Sequence, residues 1–160
     1  MTPMTGWLRT ILRAPTFLYR WHLGWILGSR FVLLSHTGRR SGRRYQTVLE
    51  VIGHRPDGEL TVMSGWGRHS DWYRNIQNQP VVEITFGRHT TAATHRELPP
   101  PEAIDALAAY ERRNRIAGWI VRRTLSALVG WDYDGTPESR HQLLQQLPLV
   151  SFRPTTKQRP

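Results

Sequence analysis

The chain has no cysteine and only one lysine, Lys157, among its 160 residues. The absence of cysteine excludes disulfide bonds, thiolate metal ligands and a cysteine nucleophile. No run of eighteen apolar residues occurs, so the sequence predicts no transmembrane helix. The histidines lack HxH and HxxxH spacing and there is no GxSxG motif, so we predict neither a metal site nor a serine hydrolase.

Acidic residues are also scarce, with 12 Asp and Glu against 22 Lys and Arg and a formal net charge of +10. Arginine pairs with phosphate or carboxylate through two parallel hydrogen bonds, so the composition favours an anionic partner. An anionic membrane or a phosphorylated cofactor fits this requirement. Nucleic acid fits less well, because aromatic and basic residues do not alternate along a strand as in RNA-recognition surfaces.

Alternating apolar residues and turn formers predict an α+β fold with a small antiparallel barrel. The predicted strands are 31–36, 45–53, 59–65, 81–86, 89–98 and 149–152. Helices are predicted over 70–80, over 102–129 as two helices meeting near 114–118, and from Thr136 onward. The residues expected to face inward in the paired helices are Ile104, Leu107, Ala108, Ile116, Trp119, Ile120 and Leu128. We expect one domain, with its barrel in 29–154 and a frayed tail at 155–160.

Residues 1–28 form a separate N-terminal segment in this prediction, helical over 7–28. One stripe of that helix carries Trp7, Ile11, Leu18, Trp21 and Trp25, and Arg9, Arg13 and Arg20 lie almost opposite. Such a helix can lie in the interface of an anionic membrane, or it can pack its apolar stripe on the barrel. Both alternatives stay open. We expect a cytoplasmic protein that is either unattached to the membrane or in peripheral contact with the inner face of the cell membrane.

Two loops carry the residues that suggest chemistry. The first, 37–44, places four arginines within six positions, and its glycines let backbone N–H groups approach an anion. The alternative is a solvated basic hairpin tip. The second, 64–73, flanks Trp66 with glycines that allow close approach to a flat ring. There the alternative is that Trp66 and Trp72 are core residues.

In this order, the two loops resemble the deazaflavin-dependent nitroreductases, also called the F420H2-dependent quinone reductases. The similarity extends over about 17–154. The segments that carry it are LLSHTGRRSG (33–42), TVLEV (47–51), SGWGR (64–68), DWYRN (71–75), PVVEI (80–84), DYDGT (132–136) and LPLVSFRP (147–154). The resemblance implies a split β-barrel that holds reduced coenzyme F420 in a groove and transfers a hydride to an electron-poor small molecule, quinone-like or nitro-bearing.

The resemblance also implies roles for individual residues. The cofactor-binding set is Gly38, Arg39, Arg40, Ser41, Gly42, Arg43 and Arg44 in the first loop, Thr47 and Val48 after it, Ser64, Gly65 and Trp66 in the second loop, and Trp72 and Asn75 in the short helix. Arg39 and Arg40 are expected to contact the phosphate or the carboxylates of the glutamate tail. The candidate proton donors are Tyr110, Tyr73 and Ser64.

The chain departs from the family at two places. Relatives often carry an arginine where this chain has Tyr45, and their tyrosine cluster on the helix after the last hairpin is reduced here to Tyr110. These departures bear on the acceptor more than on the cofactor. Two rival hypotheses therefore stand beside the first: an FMN-dependent split-barrel oxidoreductase, and a cofactor-binding or lipid-surface protein without turnover.

Overall fold

Six strands close into an antiparallel barrel within residues 30–155, the part of the chain that the computed structural model describes. They are β1 (Phe31–Thr37), β2 (Arg44–His54), β3 (Leu60–Met63), β4 (Val81–Phe86), β5 (His89–Glu97) and β6 (Leu149–Pro154). Their order is β1-β2-β3-β6-β5-β4, and β1 pairs with β4 to close the barrel. The α+β split-barrel prediction is confirmed. The predicted helix at 7–28 and tail residues 156–160 lie outside the described residues.

Four α-helices lie within the described range, and local sequence signals explain their ends. They are α1 (Asp71–Ile76), α2 (Pro100–Arg113), α3 (Gly118–Val129) and α4 (Pro137–Gln146). The first turn of α2 contains Pro100 and Pro101, where a missing N–H costs no helical hydrogen bond. At α4 the Thr136 hydroxyl accepts from the Ser139 N–H at 3.2 Å and caps the helix, which confirms the predicted helix start at Thr136. None of these helices is long and apolar enough to cross a membrane.

The core has two parts because the strands alternate. One side of each strand fills the barrel, where Leu34, Ile84 and Phe152 are fully or almost fully buried. Outside the barrel, α2, α3 and α4 pack together around Leu107 and Leu143, both 0% exposed. The helices therefore form a second layer beside the barrel.

The prediction of the inward face of α3 and the turn before it was wrong. Ile116 is 100% exposed and Trp119 is 69% exposed, and the predicted partners Ile120 and Leu128 are also exposed. The stripe that packs inward is instead Val121, Leu125 and Val129, at the four-residue spacing of one helix face. This helix has two apolar stripes, and periodicity does not say which one meets the core.

Candidate functional site

The loop between β1 and β2 is closed by its own backbone. The Gly38 N–H donates to the Arg43 carbonyl at 2.8 Å, and the Gly42 N–H donates to the Gly38 carbonyl at 2.9 Å. A Cβ atom on Gly38 would lie 2.6 Å from both Ser41 Oγ and Tyr45 Cε2, so a larger residue there would displace these two side chains. The predicted loop is thus a compact turn in which Ser41 and Tyr45 pack closely against Gly38.

Asn75 ties this loop to helix α1. Its Oδ1 accepts from the Arg39 backbone N–H at 3.1 Å and from Arg39 Nη1 at 3.0 Å, and Asp71 Oδ1 lies 3.3 Å from the same Nη1. Asn75 is 5% exposed, so its two bonds to Arg39 are shielded from water, whereas the Asp71 carboxylate is exposed. The structure therefore brings together the predicted arginine loop and the predicted Asn75.

His36, a residue that the sequence analysis did not select, lies at the centre of the same network. Asn75 Nδ2 is 3.1 Å from His36 Nδ1, and His36 Nε2 is 3.2 Å from Thr47 Oγ1. Because Asn75 uses its oxygen for Arg39, its amide donates to Nδ1, and the imidazole proton resides on Nε2 and is donated to Thr47. Burial lowers the pKa of His36, partly opposed by the charge of Asp71, which favours this neutral form.

The four arginines of the loop have different partners. Arg39 is paired with Asp71. Arg44 is paired with Glu83 and also donates to Ser35 Oγ at 3.2 Å. The side chains of Arg40 and Arg43 have no partner in the described part of the chain and are exposed. Carboxylates thus neutralise two of the four arginines, and the side chains of the other two are available to an anion.

In the second loop, the structure separates surface residues from structural ones. Trp66 is 54% exposed, and a Cβ atom on Gly65 would lie 3.9 Å from the Leu128 methyl carbons. Ser64 is fully buried and donates to the Gly67 carbonyl at 2.6 Å. Trp72 is buried in the barrel core and contacts Phe152. Ser64 and Trp72 are thus both buried among protein groups, and their roles as proton donor and cofactor contact stay predictions.

The two candidate tyrosines have different positions. Tyr73 is 7% exposed and donates to Glu97, which also pairs with Arg68; burial first, and then Glu97, raise its pKa. It belongs to this internal network, and its role as a proton donor to the acceptor stays a prediction. Tyr110 on α2 donates to Glu50 Oε1 of β2 at 2.9 Å, and burial and the charge of Glu50 raise its pKa.

The side chains of Thr47 and Val48 lie on opposite faces of β2, so they cannot both contact the same cofactor ring. Successive residues of a strand point to opposite faces, and Leu49 faces the barrel interior whereas Ile52 packs beneath α2. Thr47 therefore shares the interior side with His36, and Val48 shares the outer side with Glu50. The predicted site accordingly has two parts, the arginine loop with the Thr47 end of the barrel and the outer face beside Tyr110.

Solved structures with this fold include proteins of different functions. A heme storage protein from Vibrio cholerae, HutZ, has a TM-score of 0.51 at 14% identity, over 87% of this chain and 91% of that one. A protein of Bacteroides thetaiotaomicron described as a 5-nitroimidazole antibiotic resistance protein has a TM-score of 0.55 at 14% identity, over 82% and 76%. An F420H2-dependent reductase is 18% identical over 78% and 94%, with a TM-score of 0.45. At these identities the likeness concerns the fold.

The sequence comparisons identify a family, whereas the structural likeness concerns only the fold. A search of curated proteins gives no match. The profile of the F420H(2)-dependent quinone reductases matches residues 19–123, more than half of the chain, including both loops and helix α1. The chain therefore belongs to the F420H2-dependent quinone reductase family.

Proposed function

We propose that this protein binds reduced coenzyme F420 and passes a hydride from it to an electron-poor small molecule of the quinone or nitro class. Family membership supports an F420-dependent oxidoreductase. The observation that carries the proposal is the loop between β1 and β2, where Asn75 and Asp71 hold Arg39 while Arg40 and Arg43 remain unpaired among the described residues. Such an arrangement suits the phosphate and carboxylate groups of the cofactor.

The side chains of the two loops suit both the phosphate and glutamate tail of this cofactor and its flat ring. Arg40 and Arg43 would contact the phosphate and the glutamate tail, whereas Arg39 acts by positioning the loop. The exposed indole of Trp66 offers a face on which a flat ring can stack. The Thr47 hydroxyl accepts from His36, so its own proton is free to be donated to a polar ring atom.

When bound, the reduced deazaflavin supplies two electrons and a proton as a hydride, and the acceptor then needs a second proton. Tyr110 is the only one of the three candidate donors that is not buried, but its raised pKa makes it a weak acid. We therefore infer that solvent supplies the second proton, and that Tyr110 holds α2 against β2 through Glu50. Turnover retained in Tyr110→Phe would support this assignment, and its loss with cofactor affinity intact would contradict it.

The proposal is tested by equilibrium dialysis of purified protein with F420 and, in parallel, with FMN. Arg40→Ala should raise the dissociation constant about tenfold or more and weaken its salt dependence, because a charge-assisted contact is worth roughly 1.5–3 kcal/mol. Arg88→Ala removes an equally exposed arginine at the β4–β5 turn and should leave affinity unchanged.

Steady-state turnover of the reduced cofactor with quinone and nitro acceptors then tests the enzyme assignment. Binding of FMN in place of F420 would favour an FMN-dependent oxidoreductase. Binding of F420 without turnover on any acceptor would favour a carrier. Unchanged affinity in both Arg40→Ala and Arg39→Ala would remove the loop from the site.

A further inference from the structure

A second concave site lies away from the arginine loop, between α2, α3 and α4. The cavity has a volume of about 460 Å³, within the range of small-molecule sites. Its lining includes four arginines, one glutamate and one glycine. These residues are Arg112, Arg115, Arg122, Arg140, Glu111 and Gly118.

The single carboxylate of this cavity is already neutralised. Glu111 Oε2 accepts from Arg140 Nε at 2.8 Å and from Arg140 Nη2 at 2.6 Å, and Glu111 Oε1 accepts from the Tyr133 hydroxyl. Glu111 and Arg140 are 15% and 21% exposed, so the pair is part of the cavity wall. It contributes little net charge to the space in front of it.

The other three arginines have no such partner. No described residue forms an ion pair or hydrogen bond with the side chains of Arg112, Arg115 or Arg122, which belong to three successive structural elements around one cavity. All three are exposed at the edge of the cavity, and like charges gathered around one concave space repel one another. An anion placed between them relieves that repulsion.

We propose that this cavity binds a compact multivalent oxyanion, a phosphate ester or a polycarboxylate, at a site distinct from the cofactor loop. Guanidinium groups match the oxygen geometry of both chemistries. Ala108 and Val121 add an apolar wall, which suits an organic anion. A Cβ atom on Gly118 would meet no other atom within 4 Å, so the cavity stays open on that side.

The test is calorimetric titration of the full-length protein with pyrophosphate and, separately, with citrate at low ionic strength. We expect saturable binding that the cavity variants weaken and a higher melting temperature with ligand, because the anion joins α2 to α3 in the folded state. The double variant Arg115→Gln/Arg122→Gln should bind at least about tenfold more weakly. Tighter pyrophosphate binding would assign phosphate as the natural group, and tighter citrate binding would assign carboxylate.

Two further variants separate a built site from general positive charge. Gly118→Glu brings a carboxylate to the cavity at the first residue of α3 and should abolish binding, whereas Gly118→Ala should retain it. Arg88→Gln removes a distant exposed charge and should also retain it. Equal weakening by Arg88→Gln and the double variant, or no saturable binding in the wild type, would overturn the proposal. Competition by F420 would overturn it as well, since the cavity would then belong to the cofactor site.

Discussion

Replacing Asn75 with alanine should destabilise the barrel end that carries the candidate site. Asn75 is 5% exposed and its side chain makes three hydrogen bonds there: it accepts from the Arg39 backbone N–H and from Arg39 Nη1, and it donates to His36 Nδ1. Alanine keeps helix α1 intact because it has the highest helix propensity, so the loss falls on these bonds.

The magnitude follows from what each partner loses. His36 Nδ1 is left buried without a donor, which costs about 1–3 kcal/mol, and the Arg39 N–H loses a bond worth about 0.5–1.5 kcal/mol. The Arg39 guanidinium retains Asp71, so its loss is small. The expected decrease in the free energy of unfolding is therefore about 2–4 kcal/mol. At a urea dependence of about 2 kcal/mol per molar, the unfolding midpoint should fall by about 1–2 M.

The assay is urea unfolding followed by tryptophan fluorescence at neutral pH. Asn78→Ala is the matched control, because Asn78 is exposed just beyond α1 and surface substitutions of this kind usually change stability by less than about 0.5 kcal/mol. The same two variants are compared for F420 affinity, which should fall only for Asn75→Ala. A midpoint for Asn75→Ala equal to that of Asn78→Ala would refute the hydrogen-bond network described above.

Three further outcomes are expected. Because the pKa of His36 is lowered from 6.5, its contribution to the free energy of unfolding is complete above about pH 6.5 and decreases as the pH falls toward the folded-state pKa. The difference in stability between wild type and His36→Gln should shrink correspondingly in urea titrations at decreasing pH; a pH-independent difference would contradict this. F420 with a long glutamate tail should bind more tightly than the tail-less chromophore, and Arg43→Ala should reduce this difference in affinity. Equal affinities of the wild type for both forms would mean that the arginines are a solvated hairpin tip and do not contact the tail. Deletion of 1–28 should reduce co-sedimentation with anionic vesicles at low salt, since each basic residue adds about 1 kcal/mol; full-length protein left in the supernatant would end the membrane hypothesis.

The strands were predictable because short apolar runs and alternating apolar residues are local features of the sequence, whereas the partner of each strand was not predictable. β1 was predicted from 31–36 and extends over Phe31–Thr37. The pairing of β3 with β6, however, joins Thr61 to Ser151 across most of the chain, with their hydroxyl oxygens 2.8 Å apart. Nothing in either short apolar run specifies the other, because backbone pairing is common to all strands. The barrel was inferred from the number of strands and the resemblance.

The arginine loop was predictable as a unit because four cations among glycines are unusual in any sequence. The ion-pair partner of each arginine was not predictable, because Asp71 and Glu83 are distant in sequence and lie beside the loop only in the folded chain. His36 was missed for a related reason. A single histidine at the end of an apolar strand has no motif of its own, and its partners Asn75 and Thr47 lie on other elements.

The departure from the family at Tyr45 bears on how this loop keeps its shape with four arginines. The Tyr45 ring stacks on His36 with centroids 6.0 Å apart, and its hydroxyl is 3.1 Å from Ser41 Oγ. These contacts are uncharged, so the loop is held by groups other than the two unpaired arginines. We therefore expect stability and cofactor affinity to be separable: Arg40→Ala should change affinity alone, whereas Asn75→Ala should change both because Asn75 holds the loop itself.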